Sequence, residues 1–336
     1  MLIDKVAVIR IHTKYKKMNK IKKFVLVAII SSIPLFAGSQ TLKEANDAYN
    51  EASKIIAFNK EGTIELFEKA LKICKTLGAE GDTTRWKIEG FMAGLYYEIG
   101  NASYKEKKYK DAIPKLRKAI EVAEEYKDQN YKNRSTKLLA NSYYNLGNAA
   151  VNGNKLDSAI LFYMESINIE SKAYKWFNIG QIYLKKSDEA QMEETMNRTL
   201  EMARSENDTA TISKTNKLCR QYFYSQGKVL QTKNTAKSIE YLDKAVKYDP
   251  KFADAYWIKT QICYKLKKWT DAADAANSAI TNESDANEKY KYYFKLGWIY
   301  VYLQDGVKAC DAFKHASRSK EFEEEAKVNM KNLKCN

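Results

Sequence analysis

At 336 residues with 45% hydrophobic side chains, the chain is long enough to bury a continuous core, and 24 Tyr against only 3 Pro and 13 Gly favour helices over any sheet-based class. The formal charge of +15 points first to nucleic acid, but eight basic residues and one acid lie within residues 1–39. Without them 49 basic face 41 acidic residues, a mild +8 spread as Lys-Lys and Lys-Glu pairs that describe a solvated face, so no nucleic-acid partner is expected.

The N-terminal stretch reads as a secretory leader. Lys20, Lys22 and Lys23 precede an apolar core from Phe24 to Phe36, and the small residues Ala37, Gly38 and Ser39 follow. That core is shorter than the roughly 20 apolar residues a membrane-spanning helix needs, so cleavage near Ser39–Gln40 is expected, with no stable membrane span afterwards. Met18 is read as the start and residues 1–17 as an upstream segment. No Cys lies between Ala37 and Gln40 to carry a lipid anchor. The expected location is therefore periplasmic or secreted.

From Thr41 the chain alternates amphipathic helices and breaks. Thr41 to Leu77 gives two helices, the second with Ile64, Phe67, Ala70 and Leu71 on one face; Gly78 to Thr84 is read as a loop. A long helix from about Trp86 to Lys107 carries Tyr96, Ile99 and Gly100, and its successor carries Ala112, Leu116 and Ala119. In the most regular stretch, Asn141 to Ile167, Tyr143, Leu146 and Ala150 share one helix face, and Ala159, Ile160, Tyr163 and Ile167 share another. Gly147 and Ala159 allow close approach, Asn152-Gly153-Asn154 is the break, and Asp157 is a candidate cap for the second helix. Trp176, Ile179, Gly180 and Tyr183 repeat the pattern, but Met192, Met196 and Thr199 follow where Ala, an aromatic and Ala stand elsewhere, which predicts looser packing. Phe223 and Gly227 then lead to Ser238, Leu242 and Ala245; Asp249-Pro250 ends that unit. Thr260 replaces the glycine of the next, which keeps Ala272, Ala276 and Ala279, and Leu296, Gly297, Tyr300, Ala309, Phe313 and Ala316 complete the last pair.

This spacing of aromatic, Leu-Gly, Tyr, Ala and aromatic resembles the tetratricopeptide repeat. The anchors at 100, 147, 180, 227, 260 and 297 are separated by 47, 33, 47, 33 and 37, the short intervals matching the family period of about 34 and the long ones carrying extra helical turns. The resemblance implies an all-α, right-handed superhelical solenoid of about seven antiparallel helix pairs over 41–318, with a capping helix over 319–336. It also implies a concave side lined by the first helix of each pair, where extended peptides bind.

Three residues before the anchors stand Tyr97, Tyr144, Phe177, Tyr224, Trp257 and Phe294; one residue after them stand Asn101, Asn148, Gln181, Lys228, Gln261 and Trp298. Asn145 and Asn178 lie two before. The candidate binding set is Tyr97, Asn101, Tyr144, Asn145, Asn148, Phe177, Asn178, Gln181, Tyr224, Trp257, Gln261 and Trp298, and consensus packing explains the aromatics equally well. A carboxylate clamp of the family usually has lysine where Tyr97 stands, which argues against that mode.

Catalysis finds little support. His315 is the only histidine after the leader, the five cysteines (74, 219, 263, 310 and 335) form no CxxC, and Gly227-Lys228 lacks the earlier glycine of a phosphate loop. Adjacent acids such as Glu193-Glu194 splay apart on a helix. No cofactor or metal is expected. An odd cysteine count leaves at least one thiol unpaired within the chain, and most are read as small core residues. The expected function is a non-enzymatic scaffold in the cell envelope for a protein or peptide partner. The alternative is a glycan-binding helical-repeat protein linked to nutrient uptake, which aromatic platforms would suit.

Overall fold

One turn, used again and again, sets the helix boundaries. The computed structural model describes residues 41–335, so the leader expected at 1–39 lies outside it. Lys107, Lys127, Asn154, Ser187, Asn207, Lys267, Gln304 and Lys334 all have φ between 54° and 60°. In each case the next residue donates its backbone N–H to a carbonyl five positions back, as Lys108 does to Ser103 (3.0 Å) and Lys155 to Ala150 (2.8 Å). The left-handed residue thus closes one helix by satisfying its open carbonyls. Except after Lys334, its successor starts another, and where that successor is Asp128, Asp188, Asp208 or Asp305 its carboxylate accepts the N–H three residues on.

Within the Asn152-Gly153-Asn154 break it is Asn154 that takes the left-handed conformation, and, contrary to expectation, Asp157 does not cap its helix. Lys155 stands at that cap without a side-chain bond, while the Asp157 carboxylate pairs with Lys186 of the following unit.

Fifteen helices result among the described residues. They are α1 (Leu42–Ile55), α2 (Lys60–Leu77), α3 (Asp82–Lys105), α4 (Tyr109–Glu125), α5 (Gln129–Asn152), α6 (Leu156–Ile169), α7 (Ala173–Lys185), α8 (Glu189–Ser205), α9 (Thr209–Leu230), α10 (Thr235–Tyr248), α11 (Ala253–Lys265), α12 (Trp269–Asn282), α13 (Ala286–Tyr302), α14 (Gly306–Ala316) and α15 (Glu323–Asn332). The stretch read as a loop is a 3₁₀ turn at Gly78–Gly81, and α3 already begins at Asp82. The longer anchor intervals are accommodated by first helices of 24 and 22 residues in α5 and α9, against 13 in α7 and α11. Each helix packs chiefly on its sequence neighbours, giving an all-α solenoid of seven pairs, with α15 against α14.

The contact inside each pair explains the anchors. A Cβ added at Gly100 would meet Leu116 at 2.8 Å; at Gly147, Tyr163 at 2.5 Å; at Gly180, Met196 at 2.6 Å; at Gly227, Leu242 at 2.9 Å; at Gly297, Phe313 at 2.7 Å. Glycine is there because a large side chain of the second helix lies against its backbone. The sixth unit reverses the sizes: Thr260 takes the anchor and the fully buried Ala276 stands opposite in sequence register. Met192, Met196 and Thr199 are fully buried too. The flexible Met196 thioether lies against the Gly180 backbone, the place that the Tyr163 or Phe313 ring takes in other units.

Cys74, Cys219 and Cys263 are buried thiols, whereas Cys310 of α14 and Cys335 beyond α15 form a disulfide. Ala326 is the one fully buried residue of α15, supported by half-buried Phe322, Met330 and Leu333, with Phe322 stacked on Phe294 at 5.0 Å. The terminal helix therefore relies on a covalent tie as well as on packing.

Two glycines should respond oppositely to alanine in thermal and urea unfolding. Gly147→Ala drives a methyl into the Tyr163 ring and should cost about 1–3 kcal/mol. Gly90→Ala, in α3 with no neighbour within 4 Å, should gain about 0.5–1 kcal/mol by removing glycine from a helix interior. Equal responses would show that the anchor contact does not constrain the fold. Reducing Cys310–Cys335, which spans 25 residues, should lower stability by about 3 kcal/mol, and Cys310→Ser should lose its sensitivity to dithiothreitol.

Candidate functional site

Neighbouring first helices, α5 and α7, bring part of the candidate set together. Tyr144, Asn148, Asn178 and Gln181 line a cavity of about 470 Å³, joined by Val151, Asn152, Tyr163, Ile182 and Lys185. The sequence places them there because Tyr144, Asn148, Val151 and Asn152 fall three or four residues apart on α5, as Asn178, Gln181, Ile182 and Lys185 do on α7.

Hydrogen bonds fix the orientation of both carboxamides. Asn178 Nδ2 donates to the Tyr144 hydroxyl (3.0 Å), and the Tyr163 hydroxyl donates to Asn148 Oδ1 (2.6 Å). Asn178 Oδ1 is left to accept and Asn148 Nδ2 to donate. Burial pushes the Tyr163 phenol up to about 12, so it remains a donor through neutral pH. The Tyr144 ring is held between Tyr163 at 5.5 Å and Tyr174 at 5.4 Å. Gln181 and Lys185 are exposed at the mouth. A cleft with paired amide donors and acceptors, a fixed ring wall and one cation suits the alternating polarity of an extended polypeptide.

The other candidates are placed differently. Asn145 does not line this cavity; its Nδ2 donates to Tyr104 (3.0 Å), tying α5 back to α3. Tyr97 lies 5.6 Å from Tyr131 beneath the Arg134 guanidinium at 4.4 Å. Phe177 packs beside the Met192–Met196 core, Tyr224 meets Phe252 edge-on at 4.8 Å, and Trp298 meets Phe313 edge-on at 5.8 Å. Trp257 is buried against Tyr292, 4.3 Å away. Tyr97, Tyr144, Tyr224 and Trp257 thus form a seam between successive units, whereas Trp298 packs within its own pair. Asn101 and Gln261 are half-buried on α3 and α11, outside the cavity.

Sequence reasoning missed Asn152, Lys185 and Tyr163. The first two lie four residues after Asn148 and Gln181, so extending each row by one helical turn finds them. Tyr163 has the spacing of a core residue and does fill the Gly147 notch, while its hydroxyl donates to Asn148 of the cleft. His315 is half-buried with its ring stacked on Tyr293 at 4.5 Å. Among the described residues no group of three His, Cys, Asp or Glu side chains is placed to hold a metal ion, and no helix is long and apolar enough to cross a membrane.

Comparison with known proteins agrees with the repeat pattern. Residues 93–126, 140–172 and 176–206 match one family model described as tetratricopeptide repeat, and residues 230–288 match a second of the same description. No curated protein matches the chain. Among solved structures, the TPR2AB domain of yeast Sti1 in its pHSP90 complex is 17% identical, covering 87% of this chain and 99% of that one at a TM-score of 0.30. YrrB, described as a TPR protein with an unusual peptide-binding site, is 18% identical over 56% of this chain and 92% of its own, with a TM-score of 0.28. The C-terminal part of a TPR repeat-containing protein from Cytophaga hutchinsonii is 14% identical over 70% and 99%, with a TM-score of 0.30.

Proposed function

Because the chain belongs to the tetratricopeptide-repeat family, we propose that it is a non-enzymatic interaction scaffold which seats an extended segment of a protein partner in the cleft between α5 and α7. The observation that carries this reading is the pair of oriented carboxamides facing one cavity: Asn178 is held by Tyr144, and Asn148 by Tyr163. Amides fixed before the ligand arrives lose little freedom on binding, and they match both edges of a peptide backbone. The alternative, a glycan platform, needs open ring faces; Arg134 lies over Tyr97 and Tyr292 against Trp257, so the peptide reading is favoured.

The proposed site of action is the cell envelope, periplasmic or secreted. Two features support it: the order of basic, apolar and small residues over 18–39, and the Cys310–Cys335 disulfide, a bond that persists in oxidising compartments. Mass spectrometry of the protein from its native cell should find a mature N-terminus near Gln40. Intact chain retaining Phe24 to Phe36 would overturn the cleavage.

The cleft is tested with the partner that the intact protein captures from envelope fractions. Gln181→Ala and Asn178→Ala should each weaken its binding by about 1–3 kcal/mol, the cost of leaving a ligand group unpaired. Asn145→Ala, outside the cavity, should leave affinity unchanged and cost about 0.5–1.5 kcal/mol of stability through its lost bond to Tyr104. Undiminished affinity in both cleft variants would move the site elsewhere.

A further inference from the structure

A second concavity, apart from the α5–α7 cleft, lies where the long helix α9 overhangs the turn between α10 and α11. It is a cavity of about 520 Å³ lined by Ser213, Asn216, Lys217 and Arg220 on α9 and by Tyr248 to Lys251 on the turn. The α9 residues are spaced 213, 216, 217 and 220, one face of the helix. α9 has 22 residues and α11 only 13, so the first half of α9 runs on with no equally long first helix beside it. The notch is a product of that inequality.

Three cations and one carboxylate line it, an excess of two positive charges. The carboxylate is already committed: Asp249 Oδ2 accepts from Arg220 Nη1 (2.7 Å) and Oδ1 from the Lys251 backbone N–H (3.1 Å). Arg220 lies over the Phe252 ring, its guanidinium carbon 4.7 Å from the centroid. Its Nε is buried and has no acceptor within the protein. Among the described residues neither Lys217 nor Lys251 has an ion-pair partner, while Arg220 has Asp249. Two ammonium groups without counter-ions beside a guanidinium that shares a single carboxylate are an arrangement that an anion would complete.

We propose that this notch binds a doubly charged oxyanion, a phosphate or a dicarboxylate, with Lys217 and Lys251 as flanking cations and the Arg220 guanidinium as the planar donor on the wall. Two charges on the ligand match the two in excess, and the planar guanidinium presents its donors in the geometry an oxyanion accepts. Ser213 and Asn216 add short polar groups on the same wall. The site does not depend on the peptide cleft, and the two stand or fall separately.

The test is calorimetric titration of the purified full chain at low ionic strength with inorganic phosphate and, separately, with succinate; the arm that binds tells which anion the notch prefers. Saturable binding of one molar equivalent is expected, weakening as salt is raised. The Lys217→Met, Lys251→Met double variant, altered only at exposed side chains, should bind roughly tenfold or more weakly with an unchanged melting temperature. In a proton–nitrogen spectrum the Arg220 Nε–H resonance should move as the anion is added. Absence of saturable binding by both anions, undiminished binding in the double variant, or binding that leaves the Arg220 resonance in place would each overturn the proposal.

Discussion

Everything in this solenoid depends on one close approach, repeated in every unit that carries an anchor. The backbone of the first helix and a large side chain of the second must share the same space, and the clash distances of 2.5–2.9 Å for a hypothetical Cβ show how little room is left. Size is conserved across the contact rather than residue type. Glycine faces Leu116, Tyr163, Met196, Leu242 or Phe313, and where Thr260 enlarges the anchor its counterpart shrinks to Ala276. Such complementarity is what interiors packed at crystal-like density require. Isolated pairs bury one face only, so stacking completes the core and makes the units interdependent.

The same contact shapes the cleft between α5 and α7. Tyr163 fills the Gly147 notch with its ring and, with the ring thus immobilised, aims its hydroxyl at Asn148. Tyr144 is wedged between two other tyrosines and receives Asn178. The polar groups of the cleft are therefore oriented by core packing, and its geometry is borrowed from the scaffold instead of being added to it. A cost accompanies this economy, because a change at the anchor disturbs both stability and the cleft.

At the C-terminal end the stack needs a lid for the apolar side of α13 and α14. Phe294, Trp298 and Phe313 form that side, and α15 covers it with Phe322, Met330 and Leu333. A ten-residue helix with one fully buried side chain has little to hold it by packing alone. The Cys310–Cys335 bond restricts how far it departs, which leaves the other three cysteines as buried thiols.

The sequence by itself determined the helical class, the seven pairs and the anchor positions, because apolar spacing and glycine-to-large-residue distances are local quantities read directly along the chain. It also located Tyr144, Asn148, Asn178 and Gln181, since residues one turn apart on a helix necessarily share a face. Tertiary structure decided which of the similar-looking candidates meet. Asn145 and Asn178 occupy the same offset from their anchors, yet one ties α5 to α3 and the other faces the cavity. Trp257 and Tyr144 share an offset as well, yet Tyr144 lines a cleft while Trp257 is buried against Tyr292 of the next unit. The disulfide and the basic notch were equally invisible in one dimension: each joins residues whose proximity follows from how unequal helices stack, a sum over many contacts that no single stretch of sequence contains.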